Sequence, residues 1–176
     1  MEMSEWRKVL TAWAGAEEHR KVVSRARECI RQALAKCRKP YVAFSGGKDS
    51  TCVLHLVLEQ APDTMVLHWD YGPYYIPREI EQEFIDHAKA IGARNLRVET
   101  SAEYERLGRK AINVLGREYL GKLVPKLRDE EGYDMVFLGL RAEESVKRRL
   151  KTEGSIWREK KMLNCAPIRD WSWRDV

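Results

Sequence analysis

The spacing of apolar and polar positions changes several times along the chain, and each change marks an element. From Ser4 to about Cys37 the spacing is helical: Trp6, Leu10 and Trp13 form one stripe, continued by Val23, Ala26, Ile30 and Cys37. A break near Gly15 divides this stretch into two helices. After Lys39-Pro40 comes a short apolar run rich in strand formers, Tyr41-Val42-Ala43-Phe44, then a glycine-containing loop and a helix from Ser50 to about Gln60. The same unit recurs as a strand from Thr64 to Trp69, a loop with Gly72 and Pro73, and a helix from about Pro77 to Ile91. A third strand, about Asn95 to Val98, leads into helical sequence running to about Glu131, with breaks at Gly108, Gly116 and Gly121. The fourth strand is Met135 to Leu138, followed by Gly139 and a helix beginning near Glu143.

Strands alternating with helices of this length imply right-handed crossovers and a parallel sheet covered on both faces. The expected fold is therefore an open, doubly wound α/β sheet in a Rossmann-like three-layer sandwich. Residues 1–39 are expected to form an N-terminal helical extension and residues 40–176 a nucleotide-binding domain. Residues 152–166 read as an irregular, charged excursion. Near the C-terminus Ser172 is placed to cap a helix that stops after one turn, so the chain either ends there or is part of something longer.

Composition narrows the picture. At 176 residues, 44% hydrophobic and 34% charged, with 11 glycines and 6 prolines, the chain is sized and composed as one soluble globular domain. No apolar run approaches the roughly 20 residues that span a bilayer, and the first residues lack a secretory h-region, so no membrane partner and a cytoplasmic location are expected. Cys29, Cys37, Cys52 and Cys165 form no CxxC pair and the four histidines no metal-ligand spacing, so neither zinc nor an iron–sulfur cluster is expected. A net charge of +5 favours an anionic ligand without identifying it.

In open parallel sheets ligands bind beyond the carboxyl ends of the strands. Three segments fall there: Ser45 to Ser50, Asp70-Tyr71-Gly72, and Gly139-Leu140-Arg141 with the helix beyond. Gly46 and Gly47 let the backbone turn tightly and aim its N–H groups at an anion, while Ser45 and Ser50 add hydroxyl donors. Lys48 does not fit Walker A spacing and either contacts the site or points to solvent. Asp49 either caps loop N–H groups or holds a magnesium ion. A helix terminus contributes about 0.3–1 kcal/mol, up to ~2 when sheltered, whereas micromolar binding needs roughly 8 kcal/mol, so further cations are required. Arg141, Glu144, Ser145 and Arg148 lie at i, i+3, i+4 and i+7, which predicts one helical face carrying both arginines to the loop. Tyr71, Tyr74 and Tyr75 either stack on a base or cover the surface.

Ser45-Gly46-Gly47-Lys48-Asp49-Ser50 matches the PP-loop signature, serine-glycine-glycine-x-aspartate-serine, at every defined position. Gly139 to Ser145 with Arg148, and Pro167-Ile168-Arg169-Asp170-Trp171-Ser172 with Asp175-Val176, resemble later motifs of the phosphoadenosine phosphosulfate (PAPS) reductase family, in family order. The resemblance spans residues 40–176 and implies an adenine nucleotide alpha hydrolase-like fold. It implies ATP or PAPS/APS as ligand, with Ser45, Gly46, Gly47, Asp49 and Ser50 contacting phosphate or sulfate groups and Arg141 and Arg148 completing the anion site; Asp70 and Gly139, from their places at the strand ends, are further candidate binding residues, and Asp49 and Lys48 candidate catalytic residues. Relatives include sulfonucleotide reductases, the small subunit of ATP sulfurylase and proteins of sulfur transfer to nucleic acids. The expected activity is thus sulfonucleotide reduction or ATP-dependent adenylyl or sulfur transfer; tRNA or DNA modification and non-catalytic nucleotide binding are the alternatives. A homo-oligomer is a further candidate assembly. Two features depart from the family. Asp70-Tyr71-Gly72 replaces aspartate-threonine-glycine with Pro77 about one residue late, and no Glu-Cys-Gly-Leu-His type tail occurs before Val176, leaving Cys165 as the substitute nucleophile.

Overall fold

The computed structural model describes residues 3–176. Two N-terminal helices, α1 (Met3–Ala14) and α2 (Glu17–Leu34), precede strand β1 (Pro40–Phe44), helix α3 (Lys48–Gln60), strand β2 (Met65–Trp69), helix α4 (Arg78–Ile91) and strand β3 (Leu96–Glu99). Beyond them come α5 (Ala102–Leu107), α6 (Leu115–Glu118), α7 (Val124–Asp129), strand β4 (Met135–Phe137), α8 (Val146–Lys151) and the strands β5 (Ile156–Glu159) and β6 (Met162–Cys165). The sheet order is β3-β2-β1-β4-β6-β5, with β5 antiparallel to β6 and the other pairs parallel. This is the doubly wound α/β sandwich that the alternation of periods predicts.

The two apolar faces are distinct. Val42, Phe44, Val66, Met135, Phe137 and Cys165 meet Ala26, Ile30, Val53, Leu54, Val57 and Ala88 from α2, α3 and α4. Tyr41, Met65, Leu67, Trp69, Val136 and Met162 meet Tyr104, Ala111, Leu123 and Leu127 from the α5–α7 stretch. β1, β2, β4 and β6 feed both faces because successive side chains of a strand point to opposite sides. The N-terminal helices are tied to the far end of the chain: the Asp175 carboxylate accepts from Trp13 Nε1 at 3.1 Å and from Ser172 Oγ at 2.6 Å.

Three expectations need correction. Residues 152–166 are not irregular, since they contain β5 and β6, which extend the sheet beyond β4. The sequence after Gly139 is not one helix. Ala142–Glu144 form a single 3-10 turn, Ser145 is extended (φ −168°, ψ 155°), and its hydroxyl caps α8 by accepting from Arg148 N at 3.1 Å. A serine able to cap competes with helix continuation, so Arg141 and Arg148 sit on different elements. Between Glu99 and Glu131 the winding changes four times, from α to 3-10 at Gly108–Asn113 and back, then to π at Tyr119–Leu123 and back.

Candidate nucleotide site

At the carboxyl ends of β1, β2 and β4 the sheet opens into a crevice of ≈ 230 Å³ lined by Ala43, Ser45, Ser50, Leu67, Trp69, Tyr71, Ile76, Tyr119, Leu138 and Gly139 among others. Its walls are mostly apolar and its mouth carries the serine–glycine loop. Ligand clefts run from roughly 300 to 1,000 Å³, so this one suits a flat heterocycle with a charged tail lying outside along the loop.

The loop is closed by Ser50. Its hydroxyl donates to Gly47 O at 2.8 Å and accepts from Ser45 N at 3.2 Å, and it lies 3.1 Å from Ser45 Oγ. Gly47 occupies the N-cap of α3 and has no side chain to satisfy the first-turn N–H groups, which leaves them without a side-chain acceptor at the N-cap. Gly46 has φ +77°, and a Cβ there would stand 2.4 Å from the Phe84 ring. Gly139 is needed for a different reason: a Cβ there would stand 2.6 Å from Ser50 N and 2.8 Å from Asp49 C, because the end of β4 presses directly on the first turn of α3.

That contact brings Arg141 to the loop. Its Nε donates to Asp49 Oδ1 at 2.8 Å and its Nη1 binds Glu143, with the guanidinium almost wholly buried. Lys48 Nζ reaches the same Asp49 oxygen at 3.2 Å. Asp49 thus anchors two cations at the helix start; the N-cap role considered for it is not what its side chain does. Arg148 pairs with Glu144, whose other bond is to Arg141 N at 3.1 Å. Arg148 is thus half exposed, held by Glu144, and does not line the crevice or share the Asp49 contact of Arg141. The basic residues Lys147, Arg149, Arg158 and Lys161 are exposed on α8 and the β5–β6 hairpin.

Under the loop, His68 is fully buried; its Nδ1 donates to Phe44 O at 2.9 Å and its Nε2 lies 2.7 Å from Glu81 Oε1. The pair pins the end of β1 one residue before Ser45. Asp70 does not line the crevice. It accepts from Gly72 N at 2.6 Å and takes both arms of Arg78, shaping the turn that carries Tyr71. Tyr71 stacks at 27° on Tyr104, with centroids 6.2 Å apart, and so faces the crevice, whereas Tyr74 is exposed. Burial pushes the Asp70 carboxyl up, but the Arg78 fork and the Gly72 N–H outweigh it and hold it below the usual carboxylate range. Its contribution to stability is therefore complete above about pH 4, the unfolded value, and fades as pH falls through the lower folded value. Urea denaturation should show Asp70→Asn less stable than the parent at neutral pH, with the gap closing below about pH 4. A gap independent of pH contradicts this role.

Cys165 is not a nucleophile at this site. Its side chain faces the α2 side of the sheet, fully buried, with its sulfur 3.6 Å from Cys29, and that neighbour together with burial pushes its thiol far up. Among the described residues none of the four cysteines lines the crevice. Tyr119 and Tyr104, by contrast, were not singled out by the sequence; both come from the stretch where helical winding changes, which erases any steady period.

The profile of the phosphoadenosine phosphosulfate reductase domain matches residues 39–176. The chain belongs to this family. Within the PAPS reductase domain so defined lie the loop, Gly139, Arg141 and the C-terminal motif, while α1 and α2 lie outside it. No curated protein matches the sequence. Among solved structures, a universal stress protein in complex with cAMP is similar at 18% identity, covering 65% of this chain and 82% of that one, with a TM-score of 0.34. No helix among the described residues is long and apolar enough to cross a membrane.

Proposed function

We propose that this PAPS reductase-family chain binds an adenine nucleotide, ATP or a sulfated adenosine phosphate, and acts on it in sulfur metabolism. The base lies in the apolar crevice beside Tyr71 and Tyr119. The phosphate or sulfate tail meets Ser45, the N–H groups from Gly46 to Ser50, and the Arg141 guanidinium. One observation carries this reading: Gly139 and Asp49 bring a buried arginine onto the start of α3, where the loop already offers unsatisfied N–H donors. Helix terminus and guanidinium then act on one anion in a sheltered place, where charge-assisted bonds are about 1.5–3 kcal/mol each.

Magnesium fits this arrangement only as a companion of the nucleotide. Asp49 is a single carboxylate already engaged by Arg141 and Lys48, and among the described residues no group of three His, Cys, Asp or Glu is placed to hold a metal. A metal bound through one carboxylate takes its remaining ligands from water and substrate phosphates. The chain's own contribution is to orient the tail and neutralise its charge. With Cys165 in the core, a thiol step on the nucleotide would draw its sulfur from elsewhere, which favours ATP-dependent transfer over reduction by this segment. Isothermal titration with ATP, with and without magnesium, and with PAPS is expected to show micromolar or tighter binding of at least one. Binding of neither sinks the reading.

A further inference from the structure

A second chamber opens on the same face of the sheet and shares two walls, Tyr119 and Leu138, with the nucleotide crevice. Its volume is ≈ 350 Å³. The floor is sheet, with Val136 and Met162 prominent, and the roof is the π turn and α7, which contribute Leu120, Val124 and Pro125. The rim carries Arg128, Lys151 and Lys160; Lys151 pairs with Glu159 at 2.9 Å and Arg128 with Asp129 just outside the lining, so the net positive charge of the rim rests on Lys160. An apolar interior under a rim with excess positive charge selects a ligand with an apolar body and an anionic head.

Two backbone features around the chamber run against folding preference. Lys160 and Lys161 make the two-residue turn of the β5–β6 hairpin with φ +45° and +68°, a left-handed pair for which asparagine–glycine is the favoured sequence. Arg128 Nη1 fastens this turn by donating to Lys160 O at 2.6 Å. The roof is π-wound over Tyr119–Leu123, a rare winding frequent at functional sites, and it begins at the tyrosine dividing the two spaces. A strained turn that places a lysine on a cavity rim is a reason to look for a ligand there.

We propose that this chamber binds a small organic anion, a carboxylate or sulfonate on an apolar body, as the second substrate of the nucleotide-dependent reaction. Its role as substrate rests on the nucleotide reading above; its binding does not.

Naphthalene-1-sulfonate is a suitable probe, read by methyl spectra of the full chain labelled at methionine. Met162 lines the chamber, whereas Met135 lies in the core on the opposite face. Saturable movement of the Met162 methyl, with Met135 still and with no competition from ATP, is expected. Lys160→Gly should relieve the turn, raising the melting temperature, and weaken probe binding about tenfold through loss of the cation. Lys161→Gly, at a residue outside the chamber lining, should raise the melting temperature and leave binding unchanged. No movement of Met162, displacement of the probe by ATP, or equal binding in the two glycine variants overturns the proposal. If ATP fails to bind while Met162 still responds, the nucleotide reading and the substrate role fall, and the anion site stands alone.

Discussion

Gly139→Ala is expected to abolish nucleotide binding and to lower stability by about 1–3 kcal/mol or more, the range for overpacking a close contact. The new methyl would meet Ser50 N at 2.6 Å, Asp49 C at 2.8 Å and Ser50 Cα at 2.9 Å. All three are main-chain atoms, so no rotamer change can relieve them. Gly139 does not have a positive φ, so alanine is not excluded by its backbone conformation, and the effect comes from contact alone. Relief requires β4 to move off the first turn of α3, and that movement carries Arg141 away from the loop. Urea denaturation and titration with ATP test both halves of the statement. An alanine variant with parental affinity contradicts the close approach on which the site depends.

The second large effect is expected at Arg141. Arg141→Ala removes the buried guanidinium and leaves Asp49 facing the ligand with only Lys48 to offset it. One or two charge-assisted bonds of about 1.5–3 kcal/mol correspond to a loss of roughly 10²-fold in nucleotide affinity, at 1.4 kcal/mol per factor of ten. Arg141→Lys should recover part of that loss, because a lysine supplies charge without the planar fork that spans Asp49 and Glu143. Arg148→Ala should change affinity only a few-fold, since that side chain is half exposed and held by Glu144. Titration calorimetry on the three variants separates these outcomes, and an Arg148 effect as large as that of Arg141 contradicts the geometry.

This difference between the two arginines shows where the sequence was legible and where it was not. Both stand at helical spacing, and a continuous helix would have aligned them. Ser145 stops the helix by capping α8, and whether a serine caps or continues depends on the packing around it. The first four strands and the loop after β1 could be read because a glycine or proline, Pro40, Pro62, Gly92 or Gly132, stands at or just before each apolar run. The β5–β6 hairpin could not, because its turn is Lys160-Lys161, without the glycine or asparagine that marks a two-residue loop, and the exposed positions of its edge strand carry Arg158 and Glu159.

The crevice walls were legible from the strands and hidden from the helices. Ala43, Leu67 and Trp69 follow from strand alternation, but Tyr119 comes from the stretch that passes between α, 3-10 and π winding, where no single period assigns a face. Gly139 was placed at the site by its position after β4; its close approach to Ser50 depends on a pairing of distant segments that no local window contains. Cys165 was misread for the same reason, since the α2 helix that buries it lies 136 residues away in sequence.

A crystal structure of the chain with ATP tests the shared anion site most directly. The tail should lie within hydrogen-bond reach of the N–H groups from Gly46 to Ser50 and of the Arg141 guanidinium, with the base between Tyr71 and Tyr119. Nucleotide found instead in the hollow at the opposite end of the sheet, beside Arg38, Lys39 and Thr64, with Arg141 still closed on Asp49, would contradict the account.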